Sequence, residues 1–279
     1  MLGIITTTSD AAYAASYVWL VQVSRLEDLA RISQALNAAN ETLQRFTPGA
    51  IAAVQKNQGG PLTEADTAVN KTLAEVLRNQ QDGWLSEESV DSEERLTKSR
   101  VWVVDPIDGT KEFINGVPEW CVSVGLIENG VPVAGGVLSP PNNHLIVGSD
   151  LTGVQLNGVD VHTTNTSELA GALVLASRSE VRRGEWNRFA NTSISIRPLG
   201  SVAYKLALVA AGLADATWTL TPKNEWDIAG GAALVLAAGG RVCGTRGGLV
   251  GFNKPNTRLD GFVATAPALY QPVLELLWE

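Results

Sequence analysis

The sequence predicts a mixed protein in which an α+β half is followed by an α/β half. Helical periodicity comes first, a run of short apolar segments separated by turn signals follows, and strands then alternate with helices to the end. The chain has 279 residues, of which 45% are hydrophobic, so it can bury a large core. We expect three parts: an N-terminal extension (1–23), an α+β half (24–167) and an α/β half (168–279).

Two helices are predicted in the α+β half. Ser24 and Glu27 have the spacing of a capping box, and apolar residues from Leu26 to Leu43 then recur at helical spacing until Pro48–Gly49. The second helix is expected to begin at Thr63 as its N-cap. This start places Asp66 in the first helical turn.

The middle third is predicted to be a β meander. Asn129–Gly130 is a strong hairpin signal between two apolar runs, and Asn157–Gly158 is another turn. The predicted strands of the meander are 100–105, 120–128, 131–138, 144–148 and 153–156. The later strands are predicted at 172–176, 193–197, 216–220 and 261–265, and the later helices near 180–189, 201–213 and 227–238 and at the C-terminal end.

Charge and cysteine content exclude several function classes. The net charge of −8 argues against nucleic-acid binding, which needs clustered Lys and Arg. Two cysteines far apart in sequence disfavour zinc and iron–sulfur sites. The first 23 residues lack the positive segment of a secretory signal, and no apolar stretch has the length of a membrane span. We therefore expect a cytoplasmic protein without membrane association.

The segment VWVVDPIDGTKEF at 101–113 carries the clearest chemical signal. An apolar strand leads into Asp105 and Asp108, so two carboxylates and the Ile107 carbonyl lie in one turn. Mg²⁺ prefers such oxygen ligands. Gly109 allows close backbone approach, and Thr110 opens a short helix whose free N–H groups suit a phosphate. Taken alone, two aspartates in a strand–turn–helix junction also fit ordinary capping.

Three further acids fit the same chemistry, although each has a simpler explanation. Glu87 in WLSEES is consistent with a solvated acidic loop. Asp227 in EWDIAG is consistent with a helix cap, and Asp66 with a first-turn helix acid.

Four segments together resemble the signatures of the inositol monophosphatase superfamily, in order and spacing: LTEAD (62–66), SEES (86–89), DPIDGT (105–110) and WDIAG (226–230). The resemblance implies a layered α-β-α-β-α sandwich and Mg²⁺-dependent hydrolysis of the phosphate ester of a small metabolite by a metal-activated water. It implies two or three Mg²⁺ ions held by Glu87, Asp105, Ile107, Asp108, Asp227 and Asp66. Thr110, with Glu87 or Asp66, would orient the water, and Gly109 and Thr110 would bind the phosphate. A homodimer is one expectation, since many relatives form one.

Within the superfamily, Lys111-Glu112-Phe113 after DGT resembles the bacterial 3'(2'),5'-bisphosphate nucleotidases, which act on 3'-phosphoadenosine 5'-phosphate. Glu225 and Lys205 resemble that branch too, and Lys205 would meet the second phosphate; a solvated helix residue is its simpler explanation. Ser201, Glu225 and Asp227 would complete the substrate contacts. The Ser201–Lys205 spacing is closer to the inositol phosphatases, and histidinol-phosphate phosphatases share DGTK. Inositol-1-phosphate and histidinol phosphate therefore stay alternative substrates, and a non-catalytic metal- or nucleotide-binding regulator is the remote alternative.

Overall fold

A computed structural model describes residues 8–56 and 60–278, with side chains from residue 22 onward. Its seven α-helices in these ranges are α1 (Thr8–Leu43), α2 (Glu64–Leu77), α3 (Thr110–Ile114), α4 (Arg178–Arg182), α5 (Val202–Ala210), α6 (Glu225–Ala237) and α7 (Tyr270–Trp278). Short 3₁₀ turns lie at Glu93–Thr97, Pro140–Asn142, Asn187–Phe189 and Pro267–Leu269.

The first half contains a hairpin and a seven-stranded sheet. The hairpin is β1 (Ala53–Gln55) with β2 (Pro61–Thr63). The sheet follows chain order, with a parallel pair at its start and antiparallel pairs after it. Its strands are β3 (Gly83–Ser86), β4 (Arg100–Asp108), β5 (Cys121–Glu128), β6 (Val131–Ser139), β7 (His144–Ser149), β8 (Gly153–Leu156) and β9 (Val159–Val161).

The second half contains a five-stranded mixed sheet and a short two-stranded pair. Its strands are β10 (Leu173–Ser177), β11 (Ser195–Leu199), β12 (Ala216–Thr219), β13 (Lys223–Asn224), β14 (Arg241–Cys243), β15 (Arg258–Leu259) and β16 (Phe262–Thr265). The sheet order is β11-β10-β12-β16-β14, and β13 pairs with β15.

Alternation along β4 shows how the layers stack. Trp102 and Val104 pack under α1 and α2, whereas Val101 and Val103 pack on the opposite face, against the layer of α5 and α6. That helical layer also covers the five-stranded sheet, whose outer face packs against α7 and the aromatic pair Trp186 and Phe189. The predicted five-layer α-β-α-β-α sandwich is therefore confirmed.

The predicted start of the first helix is wrong. Helix α1 begins at Thr8, so Ser24 lies in its interior and caps nothing. Residues 8–23 are rich in Ala and contain no Gly or Pro, so nothing interrupts the helix before Ser24. Leu26 is exposed, while the neighbouring Arg25 is buried in ion pairs with Asp28 and Glu128. The helix also ends at Leu43, before the expected Pro48–Gly49.

Most other elements match their predictions within a few residues. The predicted helix near 180–189 is instead a short helix, α4, followed by a 3₁₀ turn, because Gly184 between them adopts a left-handed conformation (φ 80°). The sequence interpretation also missed seven short strands: β1, β2, β3, β9, β13, β14 and β15. The predicted division at residues 167 and 168 stays a prediction. Within the described residues, no helix has the length and hydropathy that a membrane crossing requires.

Candidate active site

A β-bulge at the end of β4 shapes the central turn. The pairing of β4 with β5 shifts between Asp105 and Asp108, and this irregularity contains Pro106 and Ile107. Such a bulge re-aims side chains at a sheet edge. Asp105 is fixed by the Ile107 N–H, which donates to its Oδ1 at 3.1 Å. The turn therefore holds both carboxylates in set directions.

Gly109 is required at the end of this turn. Its φ of 99° is left-handed, and a Cβ there would lie 3.0 Å from the Glu119 carbonyl oxygen. Thr110 then begins α3, as the sequence predicts. A larger residue at position 109 would displace the start of this helix.

Close contact between α6 and the seven-stranded sheet brings Asp227 to the same place. A Cβ on Gly230 would lie 2.6 Å from Ser123 Oγ, and one on Gly135 would lie 2.4 Å from the Gly230 carbonyl oxygen. The helix backbone can rest directly on β5 and β6 only because these positions lack side chains. Ser123 pairs with Asp105 across the ladder, so the first turn of α6 comes to lie beside the bulge.

Three carboxylates meet at this point. One oxygen each of Glu87, Asp105 and Asp227 lies within 4.8 Å of the other two. Glu87 arrives because β3 runs parallel to β4, so the two strands end side by side. Hard carboxylate oxygens at this spacing fit a divalent cation such as Mg²⁺, and Ile107 lines the same cavity.

Crowding of like charges perturbs these acids. Burial, and after it the negative charge of Glu87, raises the pKa of Asp105 well above its usual range. Burial, and after it the charge of Asp108, raises the pKa of Asp227 to about 8. A bound cation would offset this repulsion, so both the ligand atoms and the electrostatics of the site favour cation binding.

Asp66 and Thr110 form a separate hydrogen-bonded pair, of which Thr110 lines the cavity and the buried Asp66 lies behind it, outside the lining residues. The predicted N-cap at Thr63 is confirmed, and its backbone N–H donates to Asp66 Oδ2 at 2.8 Å. The Thr110 hydroxyl lies 3.1 Å from Asp66 Oδ1 and 3.0 Å from the Ile107 carbonyl oxygen. Burial raises the pKa of Asp66, although hydrogen bonds from Thr63 and Thr110 oppose the shift.

Asp108 lines the cavity but is held by α5 rather than by the three clustered acids. Its Oδ2 accepts hydrogen bonds from Ser201 Oγ at 2.7 Å and from the Ala203 N–H at 2.5 Å. Ser201 caps α5 with a φ of 54°, which is strained for a residue other than glycine. The helix start therefore fixes the orientation of Asp108.

Lys205 is buried, at 2% exposure, so its explanation as a solvated helix residue is wrong. Its Nζ donates to the Ser201 carbonyl oxygen at 2.6 Å and to the Leu199 carbonyl oxygen at 3.4 Å. Burial lowers the pKa of Lys205 to about 8, although the charge of Asp108 opposes the shift. In this structure the ammonium secures the strained start of α5.

Glu87, Asp105, Asp108 and Asp227 line a cavity of about 370 Å³, together with Glu112 and four cations. Gly109, Thr110 and Ser201 from the predicted site also line the cavity. The cations among its lining residues, here called the basic wall, are Lys111, Arg178, Lys205 and Lys223. Arg178 makes a bidentate ion pair with Glu119, whose Oε2 also accepts the Gly200 N–H.

Lys56 is a site residue that the sequence interpretation missed. Its Nζ lies 2.9 Å from Glu87 Oε1 and 2.5 Å from Glu88 Oε1. The residue belongs to the segment after β1, and no motif in the sequence marks it. Burial raises the pKa of Glu88 to about 7.

Glu225 lies outside the residues that line the cavity, so this conformation does not support the predicted substrate contact. Its carboxylate is buried and accepts the backbone N–H groups of Asn253 at 2.7 Å and Lys254 at 2.9 Å. Arg95 secures the same loop through Asn253 Oδ1. Glu225 therefore anchors a loop beside α6.

Comparisons with known proteins agree with this geometry. Residues 24–279 match the family described as the inositol monophosphatase family. A protein named Nus factor SuhB from Xylella fastidiosa is 32% identical over 204 residues, which cover 70% of this chain and 72% of that protein. The structure of inositol monophosphatase from Anabaena (Nostoc) sp. PCC 7120 is 26% identical, with a TM-score of 0.75, and the match covers 91% of this chain and 96% of that one.

The fold also matches CysQ from Bacteroides thetaiotaomicron, described as a bacterial member of the inositol monophosphatase family. That match has a TM-score of 0.68 and 24% identity, and it covers 86% of this chain and 97% of that one. The family match spans the bulge, the capped helix and the acids that the structure brings together. The chain therefore belongs to the inositol monophosphatase family and is a metal-dependent phosphomonoesterase.

Proposed function

We propose that the protein uses Mg²⁺ to hydrolyse a phosphate ester whose leaving alcohol carries a second anionic group, with 3'-phosphoadenosine 5'-phosphate as the preferred candidate. The observation that carries this proposal is the mixed charge of the cavity lining. It combines carboxylates suited to divalent cations, here called the acidic end (Glu87, Asp105, Asp108 and Asp227), with the four cations of the basic wall.

Glu87, Asp105 and Asp227, with Asp108 and the Ile107 carbonyl, would hold two Mg²⁺ ions, and Asp66 would serve a third or its water shell. When bound, Mg²⁺ lowers the pKa of water and neutralises phosphate charge. The residues of the chain then position the reactants. The free N–H groups after Gly109 suit the transferred phosphate, although α3 is only one turn long.

Thr110 is the proposed orienting residue for the attacking water. Its hydroxyl donates to Asp66, so the same oxygen can accept a proton from the water while Asp66 takes up the hydroxyl proton. The water oxygen forms the new bond to phosphorus, and the bond from phosphorus to the alcohol oxygen breaks. The leaving alcohol takes up a proton from solvent, and inorganic phosphate is the second product.

Charge separates the candidate substrates. Inositol 1-phosphate has neutral hydroxyls on its leaving group, and histidinol phosphate carries an ammonium that the basic wall would repel. The second phosphate of 3'-phosphoadenosine 5'-phosphate would meet attraction there. The wall therefore favours the bisphosphorylated nucleoside, in agreement with the DGTKEF motif.

A binding or regulatory role is the second candidate, and the name of the Xylella relative supports it. Four acids crowded at one cavity are costly without a bound cation, which favours metal binding, and membership of a family of metal-dependent phosphomonoesterases favours catalysis. Both unpaired cysteines are buried, which suits a reducing, cytoplasmic setting. A homodimer stays a further proposal, which light scattering in solution would test.

The decisive experiment is a phosphate-release assay with 3'-phosphoadenosine 5'-phosphate, inositol 1-phosphate and histidinol phosphate, each with Mg²⁺ and with a chelator. We expect release that depends on Mg²⁺, with the largest kcat/KM for the bisphosphate. A larger kcat/KM for either monophosphate would refute the substrate. Binding without any release would support the regulatory role instead.

A further inference from the structure

We propose that Lys223 binds the second anionic group of the substrate and sets the preference for bisphosphorylated over monophosphorylated esters. This inference rests on the proposed function, because it concerns the same cavity. The sequence interpretation assigned this role to Lys205, and no motif singled out Lys223.

The position of Lys223 suits a contact with the leaving alcohol. It lies in β13, directly before α6 and four residues before Asp227, and its half-buried side chain lines the cavity. The Asn224 N–H donates to Asp227 Oδ2 at 2.9 Å, so the segment that carries Lys223 is tied to the acidic end. An anion on the leaving alcohol would therefore reach Lys223 while the ester phosphate lies over the carboxylates.

A buried network fixes the ammonium. Lys223 Nζ donates to Thr221 Oγ1 at 3.2 Å, and Thr221 Oγ1 donates to Glu180 Oε1 at 2.6 Å. Glu180 is fully buried and also accepts hydrogen bonds from Thr219 Oγ1 and, at 3.0 Å, from Trp186 Nε1. A preorganised cation loses less entropy when it binds an anion than a free surface lysine does.

Lys223 also keeps donors available. An ammonium has three N–H donors, and Lys223 uses one of them within the described residues, where it forms no ion pair. The other buried or paired cations of the basic wall already have partners within the protein. Lys205 donates to two backbone carbonyls, and Arg178 forms an ion pair with Glu119. Lys111 is exposed at the cavity edge. Lys223 is therefore the half-buried cation best placed to receive the anion.

The test compares wild type with Lys223→Gln on two substrates, 3'-phosphoadenosine 5'-phosphate and adenosine 3'-phosphate, which lacks the second phosphate. We expect the ratio of the two kcat/KM values, bisphosphate over monophosphate, to fall by about 10- to 100-fold, the typical effect of a charge-assisted hydrogen bond. Lys223→Arg should retain most of the ratio. Lys71→Gln, which removes an exposed charge on α2, should leave the ratio unchanged and controls for net charge.

A binding measurement separates this inference from the proposed function. Calorimetry with 3'-phosphoadenosine 5'-phosphate in Ca²⁺ reports affinity without requiring turnover, and the Kd should rise by about 10- to 100-fold in Lys223→Gln. If wild type releases no phosphate but the Kd still rises, the proposed function fails and the Lys223 site stands. If wild type prefers the bisphosphate and Lys223→Gln keeps both the ratio and the Kd, the Lys223 site is refuted. A wild type without preference for the bisphosphate also refutes it. Circular dichroism of each variant verifies that it is folded.

Discussion

The acidic end and the basic wall of the cavity are stabilised in opposite ways. At the acidic end, Glu87, Asp105 and Asp227 face one another, and apart from the ion pair of Glu87 with Lys56 their mutual repulsion is left for a bound cation to relieve. Along the basic wall, the buried Lys205 is neutralised by no carboxylate within ion-pair distance among the described residues and instead donates to carbonyls. The comparison indicates that the charges of the acidic end are balanced by a bound metal, whereas most cations of the basic wall already have partners within the protein.

The largest effect should come from Asp105→Asn. Asp105 is buried at the centre of the acidic end, and a neutral amide would weaken cation binding while keeping its shape. Loss of several kcal/mol of charge stabilisation corresponds to a fall in kcat/KM of about a thousandfold or more. Phosphate release under saturating Mg²⁺ measures it, and calorimetry of Mg²⁺ binding should show weaker affinity.

Asp160→Asn is the matched control, because Asp160 is an exposed strand residue far along the chain from the acidic end. It should retain full activity. A folded Asp105→Asn protein with activity near that of the control would contradict the assignment of Asp105 to the metals.

Thr110→Val should give the next largest effect. The valine keeps the shape of the side chain but removes the hydroxyl that contacts Asp66, so kcat should fall by about 100-fold while KM changes little. Thr110→Ser keeps the hydroxyl and should retain much more activity. Equal losses in the two variants, measured by steady-state phosphate release, would leave Thr110 with a role only in the helix start.

Much of the acidic end could be predicted from sequence because its residues are local. The bulge aspartates, Gly109 and Thr110 fall within one hexapeptide, and Thr63 caps the helix that carries Asp66. The fold class followed from the same kind of short-range signal. Hydrophobic periodicity and turn residues such as Asn129–Gly130 mark each of the nine predicted strands within a few residues.

The basic wall was harder to predict because its roles depend on distant contacts. From sequence, Lys205 also fits a solvated residue and no motif marks Lys223; their roles depend on Ser201, Thr221 and Glu180, which the fold places around them. Lys56 reaches the acids across 31 positions of sequence, and no periodicity encodes such a contact. The ion pairs of Arg25 in α1 could not be predicted from sequence for the same reason, because one partner, Glu128, is distant along the chain.

Lys205→Met sharpens the contrast between the two lysines. Without the ammonium, the strained Ser201 loses its carbonyl contact, and Asp108 is less well oriented for a cation. Substitution of a residue that orients a metal ligand typically weakens metal affinity by about 10- to 100-fold, so we expect the Mg²⁺ activation constant to rise by about tenfold. Calorimetric Mg²⁺ affinity should fall in parallel.

The substrate ratio distinguishes this positioning role from direct contact. Lys205→Met should lower kcat/KM for 3'-phosphoadenosine 5'-phosphate and adenosine 3'-phosphate to the same extent. A fall in kcat/KM for the bisphosphate alone, with Mg²⁺ affinity unchanged, would indicate that Lys205 contacts the second phosphate directly, as the sequence interpretation proposed.

Glu225→Gln should have the smallest effect on activity and act mainly on stability. The buried carboxylate accepts two backbone N–H groups, and an amide offers one acceptor oxygen and directs an N–H₂ group toward the other donor. Leaving one buried donor unsatisfied costs about 1–3 kcal/mol of unfolding free energy. Urea unfolding followed by tryptophan fluorescence measures this change, and Glu75→Gln on the exposed face of α2 is the control.

Because Glu225 lies outside the residues that line the cavity, kcat/KM should stay within about threefold of wild type, the scale of a small conformational effect. The opposite pattern, an unchanged unfolding free energy with a large fall in kcat/KM for the bisphosphate, would show that the loop at 253–254 opens and that Glu225 contacts the substrate after all.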